Sequence, residues 1–260
     1  LSLSFRQSDI IEIAKQNGRV MVEDLALQFG VTVQTIRRDL SELAELGKLD
    51  RVHGGAVLRS GVSNIGYEDR RALNAEIKTR IAQVCAANIP DGASLFLNIG
   101  TSTEAVAHQL LNHKDLMVVT NNMNVARILV ENTNCQIVVA GGVLRRSDGG
   151  LIGNLTNSTI EQFKFDYAVI GCSALDADGD LLDFDFQEVR VSQTIIAQAR
   201  HSFLVADHSK FQRSAPARIA SMSEVDVFFT DQPLPSRLAR KCKEWGTRVV
   251  YSGRTTGDSH

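Results

Sequence analysis

Between residues 94 and 251, short apolar runs alternate with amphipathic stretches, and this alternation constrains the fold more than any other feature. The runs fall at 94–98, 116–120, 136–140, 167–171, 202–206, 225–230 and 248–251, and helical patterns occupy 103–111, 124–130, 156–163, 187–199 and 236–245. Short apolar runs suit strands buried on both faces, and intervening helices supply the crossovers that parallel pairing requires. The expected architecture is therefore α/β, with a mainly parallel, Rossmann-like sheet covered by helices on both sides. One more helix is expected over 75–88, with Ile77, Ile81, Val84 and Cys85 inward, ended by Pro90-Asp91-Gly92. Ligands of such sheets sit at the carboxyl ends of the strands, so the loops that follow the strands hold the candidate site.

Five of those loops carry polar chemistry. The first, Asn98-Ile99-Gly100-Thr101-Ser102-Thr103-Glu104, turns on a glycine and opens a helix with three hydroxyls. It reads either as a phosphate cradle of backbone N–H groups or as an ordinary Ser/Thr N-cap. It is neither a dinucleotide fingerprint nor a P-loop, since GxGxxG and GK[ST] are both missing. Thr120-Asn121-Asn122 offers amides suited to the hydroxyls of a small polyol, or plain turn residues. Gly141-Gly142 lets backbone approach a ligand closely. Arg145, Arg146, Asp148, Gly149 and Gly150 follow it, and at least one of the two arginines is expected to be plain surface. In Asp207-His208-Ser209-Lys210, the carboxylate suits a hydroxyl and the ammonium a phosphate, with a local salt bridge as the alternative. Glu188, near a helix start, is either a ligand contact or a partner of the helix dipole.

The first sixty residues follow a different pattern. Val33, Ile36, Leu40, Leu43 and Leu46 form one apolar stripe, while Gln34, Thr35, Arg37, Arg38 and Ser41 occupy the opposite face. Thr32 stands where an N-cap belongs and Gly47 where a helix stops. Upstream, Ile10, Ile11, Ile13 and Ala14 indicate one helix, and Val22, Leu25, Ala26 and Phe29 a second, with residues 29–32 as a tight turn. This is a helix-turn-helix pattern whose third helix can present polar groups to a DNA major groove. Residues 48–57 alternate and turn on Gly54-Gly55, as a β-wing that lays Lys48, Arg51 and His53 along the sugar-phosphate backbone. Taken alone, an amphipathic helix with two arginines is more often a solvated surface helix. The preceding helices and the wing favour DNA.

The blocks TIRRDL at 35–40 and RVHGGA at 51–56 resemble the N-terminal winged helix of the DeoR family of bacterial transcriptional regulators, over about residues 6–57. IGTST, TNN, AGG, DGGLIG and DHSKF resemble the sensor domain of the same family, over about residues 68–251. That domain is similar in fold to ribose-5-phosphate isomerase. Where the family commonly has Thr-Thr after Ile-Gly, this chain has Thr101-Ser102, which keeps the hydroxyl. The resemblance implies that Thr101, Ser102 and Thr103 hold phosphate and that Asp148, Asp207 and Lys210 make polar contacts. Gly100, Asn121, Gly141 and Glu188 complete the expected effector set. The expected DNA-binding set is Thr32, Gln34, Thr35, Arg37, Arg38, Lys48, Arg51 and His53.

The function implied is a sequence-specific repressor of carbohydrate or glycerol catabolism genes. A phosphorylated polyol or sugar, with glycerol 3-phosphate expected, lowers its affinity for double-stranded operator DNA. A homo-oligomer, dimer or tetramer, joined through the C-terminal domain is expected, with no cofactor, metal or catalytic residue. The alternatives are an isomerase-like enzyme, with a base among Asp148, Asp207 and Glu188, and an activator of the same family. The expected domains are residues 1–58 for DNA, 59–74 as linker, 75–252 for effector and oligomer, and 253–260 as tail.

Charge supplies no global signal. The net formal charge is -2, and residues 1–60 hold eight Lys/Arg against eight Asp/Glu. DNA binding therefore requires Arg37, Arg38, Lys48 and Arg51 to share a face while the acids lie elsewhere. The four cysteines, Cys85, Cys135, Cys172 and Cys242, lack CxxC spacing and read as reduced, mostly buried thiols. The histidines lack metal-ligand spacing. No apolar run has the length of a membrane span and no secretory leader pattern opens the chain, so a cytoplasmic protein is expected. The first residue is Leu rather than Met, so the natural start is expected to be trimmed or renumbered.

Overall fold

In the computed structural model, which describes residues 3–17, 19–52, 54–58 and 66–253, these periodicities resolve into two units, Leu1–Leu73 and Asn74–His260. His53 of the expected wing, residues 59–65 of the expected linker and residues 254–260 of the expected tail lie outside the described residues.

The first unit runs α1 (Phe5–Asn17), β1 (Arg19–Met21), α2 (Val22–Phe29), α3 (Val33–Glu45), β2 (Leu49–Val52), β3 (Gly55–Leu58) and α4 (Tyr67–Ala72). Its core joins Ile10 and Ala14 of α1, Val22, Leu25 and Ala26 of α2, and Ile36, Leu40 and Leu43 of α3. Full burial of each large aliphatic side chain among them contributes roughly 1.5–3 kcal/mol. Val33 and Leu46, expected in the same stripe, are instead 37% and 42% exposed. They lie at the two ends of the helix, outside the core cluster. Asp39 takes a buried place on α3 because Arg6 of α1 pairs with it.

Gly30 ends α2 in the left-handed region at φ 61°, and the Thr32 side chain caps α3 by accepting from the Thr35 N–H at 3.2 Å. The wing is an antiparallel sheet in the order β1-β3-β2. β1, only three residues long, has too few alternations to be read from sequence. Helix α4 falls within the expected linker. It buries no residue, and it carries Glu68 and Asp69 in the first turn and Arg70 and Arg71 in the last, the signs that suit a helix dipole. Apolar periodicity cannot detect such a helix.

The second unit opens with α5 (Ala75–Ala86), β4 (Ser94–Leu97), α6 (Thr101–Gln109), β5 (Leu116–Thr120), α7 (Met123–Leu129) and β6 (Cys135–Val139). A hairpin, β7 (Val143–Arg145) and β8 (Gly150–Ile152), leads to α8 (Asn154–Ile160), β9 (Phe165–Ile170), β10 (Ala174–Leu175) and β11 (Asp180–Asp183). Then come α9 (Phe186–Gln198), β12 (Ala199–Val205), β13 (Ala217–Ser221), β14 (Val227–Thr230), α10 (Ser236–Trp245) and β15 (Arg248–Tyr251).

Seven strands form a parallel sheet in the order β15-β14-β12-β9-β4-β5-β6. Side chains alternate between its faces. Leu95, Leu97, Val118, Val169, Phe203 and Phe229 pack on one side with α5, α6 and α7. Phe96, Val119, Ala168, Ile170, Leu204 and Phe228 pack on the other with α8, α9 and α10. A small antiparallel sheet, β10-β11-β13, covers part of that second face.

The chain starts at β4 and builds outward to β5 and β6, then returns to β9 on the other side of β4 and builds outward to β15. Strand order therefore reverses between β4 and β9. Crossover helices leave such a pair toward opposite faces and open a crevice at its carboxyl end.

Candidate functional site

On α3, Gln34, Arg37, Arg38 and Ser41 are exposed and Thr35 is half-buried, as the two-faced pattern predicts. Thr32 and Thr35 are joined by a 2.9 Å contact between their hydroxyls. Arg51 is placed differently from the expectation for a wing residue. Its Nη1 donates to the Arg37 carbonyl at 2.8 Å and to Ser41 Oγ at 2.9 Å, so it braces α3 from the wing on the polar side of the helix. Burial, and then the charge of Arg37, lower its pKa. Lys48 is exposed.

The acids do not all lie elsewhere. Asp39 is turned inward to Arg6, but Glu42 accepts from Arg38 Nε at 3.1 Å on the recognition face, and from Gln7 Nε2 at 2.7 Å. These pairs line a polar groove of about 870 Å³ between α1 and α3. Arg6 and Gln7 were not foreseen from sequence, since α1 was read only for its apolar side.

The crevice of the second unit begins at Gly100, whose φ of 145° no side chain would favour and which delivers the chain into α6. Thr101 and Ser102 are half-exposed there. Thr103 is not. It is fully buried, and its hydroxyl donates to the carbonyls of Asn98 and Gly100 at 2.6 and 2.7 Å, so its side chain locks the loop. Asn98 is held in turn by Ser192 of α9 at 2.8 Å. Asn121 is fully buried and donates to the Leu151 carbonyl at 3.2 Å, while its Oδ1 has no hydrogen-bond partner among the described residues. Gly141 and Gly142 find an internal use. The Thr156 hydroxyl donates to the Gly141 carbonyl at 2.7 Å, and a Cβ on Gly142, at φ 144°, would lie 2.1 Å from Thr156 Oγ1.

The next loops meet through charge. Glu104 Oε1 accepts from Asn122 and Asn124 at 3.1 Å each, and Asn124 Nδ2 also donates to the Asp148 carbonyl at 3.0 Å. Asp148 is bound by Arg145, which also reaches Asp185 and Glu188 of the α9 start at 2.7 and 2.6 Å. Arg145 is thus the hub of three carboxylates, whereas Arg146 is exposed. Burial, then the neighbouring charge of Asp183, push the Glu188 carboxyl up to about 7. Asp183 is itself buried and accepts from Ser173 Oγ at 2.9 Å.

Across the crevice, Asp207 is 1% exposed and caps the short 3₁₀ helix His208–Gln212. Burial raises its pKa, but Lys210, Ser209, Lys78 and Asn74 outweigh this and hold it below the usual carboxylate range. Cys172, between these groups, is pushed up to about 12 by burial, so it remains a thiol at neutral pH. Sequence reading missed Arg145 as hub, Asp183, Asp185 and Lys78 in this site, and Asn74, which stands behind Asp207 and orients it. Lys78 had a legible signal. It occupies the face of α5 shared by Ile81, Ala82 and Cys85, where a lysine breaks the apolar stripe.

Comparisons with known proteins match both units. Residues 6–61 match the DeoR-like helix-turn-helix domain, and residues 73–232 the DeoR C terminal sensor domain. The chain is 50% identical to the glycerol-3-phosphate regulon repressor of Escherichia coli K12, over 88% of this chain and 91% of that protein. It is 47% identical to the glycerol-3-phosphate regulon repressor of Haemophilus influenzae, over 95% and 96% of the two chains. A solved D-ribose-5-phosphate isomerase, in complex with phospho-erythronic acid, aligns over 53% of this chain and 54% of its own at 17% identity and a TM-score of 0.40. With a winged helix that exposes a polar α3, a doubly wound sheet with a polar crevice at its switch point, and both family domains matched in order, the chain belongs to the DeoR family of transcriptional regulators.

Proposed function

We propose that this chain is a transcriptional repressor that binds operator DNA through α3 and releases it when a phosphorylated polyol or sugar, glycerol 3-phosphate first among them, occupies the crevice beside β4 and β9. The observation that carries the reading is the extent of the likeness to the glycerol-3-phosphate regulon repressors, which runs through both units at about half identity. On the DNA side, Gln34, Thr35, Arg37 and Arg38 address bases and phosphates, with Thr32 and Lys48 beside them and Arg51 bracing α3.

On the effector side, the N–H groups of the Gly100–Thr103 turn and Lys210 take the phosphate, and Asp207, Asp148 and Glu188 take hydroxyls. An effector that binds the DNA-incompetent arrangement more tightly lowers operator affinity by the same coupling energy. A homo-oligomer acting in the cytoplasm would place two winged helices on repeated half-sites. Among the described residues no helix is long and apolar enough to cross a membrane.

An isomerase-like enzyme has one observation in its favour, a Glu188 carboxyl near 7, where a general base is effective. Against this, Glu188 Oε2 lies 2.6 Å from Arg145 Nη2 and is engaged there. A gel shift on operator DNA with a panel of polyol and sugar phosphates tests the proposal. Release by one of them supports it, and turnover of that compound at enzymatic rates would replace it with the enzyme reading.

A further inference from the structure

Asn74 is the first residue of the second unit, directly after Leu73 of the first. It stands in the left-handed region, at φ 56° and ψ 33°, which costs any residue with a Cβ and is tolerated best by Asn and Asp. Two hydrogen bonds hold it there. Its carbonyl accepts from the Lys78 N–H at 2.9 Å, and its side-chain Nδ2 donates to Asp207 Oδ1 at 3.0 Å. Asp207 Oδ1 accepts a second bond, from the Ser209 N–H at 3.0 Å. Lys78, one turn along α5 and 4% exposed, adds its positive charge to the same carboxylate. The residue at the covalent junction of the two units is therefore held in an uncommon backbone conformation by a buried carboxylate of the crevice.

We propose that Asn74 is the positioning residue that couples the crevice to the DNA-binding unit, because its amide and an effector hydroxyl compete for Asp207 Oδ1. Of these two donors, the Ser209 N–H is backbone fixed in a 3₁₀ turn, whereas the Asn74 amide is carried on a side chain. An effector that takes its place removes one of the two hydrogen bonds that hold Asn74 left-handed and frees the chain that enters α5 to change direction. This inference rests on the effector reading of the crevice.

The test compares the full-length wild type with Asn74→Gly, which keeps the left-handed backbone and deletes the amide, and with Asn74→Ala, which deletes the amide and keeps the Cβ. Operator affinity is measured with and without saturating glycerol 3-phosphate, and effector binding by calorimetry. In the wild type the effector is expected to weaken operator binding about 5- to 150-fold, the ordinary range of allosteric coupling. Both variants are expected to bind operator and effector, with that factor falling to about 2-fold or less. A second measurement needs no variant. Amide exchange over residues 74–78 of the wild type is expected to accelerate when glycerol 3-phosphate binds, and unchanged exchange there overturns the coupling. Wild-type release together with equal release of both variants overturns the coupling alone. A wild type that no phosphorylated compound releases overturns the effector reading and the coupling with it.

Discussion

Arg145 closes on Asp148 through two parallel hydrogen bonds, Nε donating to Oδ1 at 2.8 Å and Nη2 to Oδ2 at 2.7 Å. The remaining donors of the same guanidinium reach Asp185 and Glu188, so one planar cation fastens the β7–β8 hairpin to the start of α9. A fork of this shape suits guanidinium and not ammonium.

Removing that cation leaves its carboxylates uncompensated. Asp148 is 4% exposed at its side chain and Glu188 14%, so Arg145→Ala is expected to cost about 3–5 kcal/mol, as for a broken buried pair. Arg145→Lys should restore little of it, since a compact ammonium cannot reproduce the planar fork onto Asp148 while also reaching Asp185 and Glu188. Urea denaturation reads both values, and a loss below about 1 kcal/mol for Arg145→Ala would show a surface-like pair.

The crevice holds two carboxylates of opposite pH behaviour. Glu188 is raised to about 7 by burial and Asp183, above its unfolded value near ~4.3. The native state holds that proton more tightly, so this contribution is full below the unfolded value and is lost as pH rises through 7. Asp207, held low, contributes above its unfolded value and loses that contribution as pH falls. The stability advantage of wild type over Glu188→Gln should therefore shrink between pH 5 and pH 8. A pH-independent difference in denaturation free energy would contradict this.

Neighbouring hydroxyls at the start of α6 are predicted to separate. Thr103→Val removes a buried donor from two carbonyls and is expected to destabilise the fold by about 1–3 kcal/mol. Ser102→Ala, at a half-exposed position, should change stability by no more than about 0.5 kcal/mol while raising the effector concentration needed for release. Thermal melts and effector titrations distinguish the two. Equal effects on release at unchanged stability would mean that Thr103 reaches the ligand.

On the DNA side, Arg37→Ala or Arg38→Ala is expected to cost about 1–3 kcal/mol of operator binding if the side chain forks onto guanine, and to relax sequence preference. A phosphate contact instead predicts an even loss across sequences and a salt slope smaller by about one. Arg51→Ala removes two hydrogen bonds to α3 and should weaken all sequences alike. Unchanged binding in both Arg37 and Arg38 variants would remove α3 from the interface.

Much of this architecture was legible in the sequence because hydrophobic periodicity reports burial directly. The seven apolar runs are the seven strands of the parallel sheet, in order, and 116–120 and 248–251 match to the residue. What escaped is ordered by other means. β1, β7, β8 and β10 have three residues or fewer and are too short to alternate, and α4 buries no residue. The site divides along the same line. The loops Gly100–Thr103 and Asp207–Lys210 show as polar breaks after strands. Arg145 resembles any surface arginine until Asp185 and Glu188, some forty residues on, fold onto it. Thr103 and Thr101 look alike in sequence, and only the fold shows that one turns inward.

The most direct test of the central claim is fluorescence anisotropy of operator DNA with the full-length chain, titrated with glycerol 3-phosphate. The account predicts tight, salt-sensitive binding that weakens saturably as glycerol 3-phosphate is added, while unphosphorylated glycerol has no effect. Operator affinity unchanged by glycerol 3-phosphate and by every other polyol or sugar phosphate would contradict it.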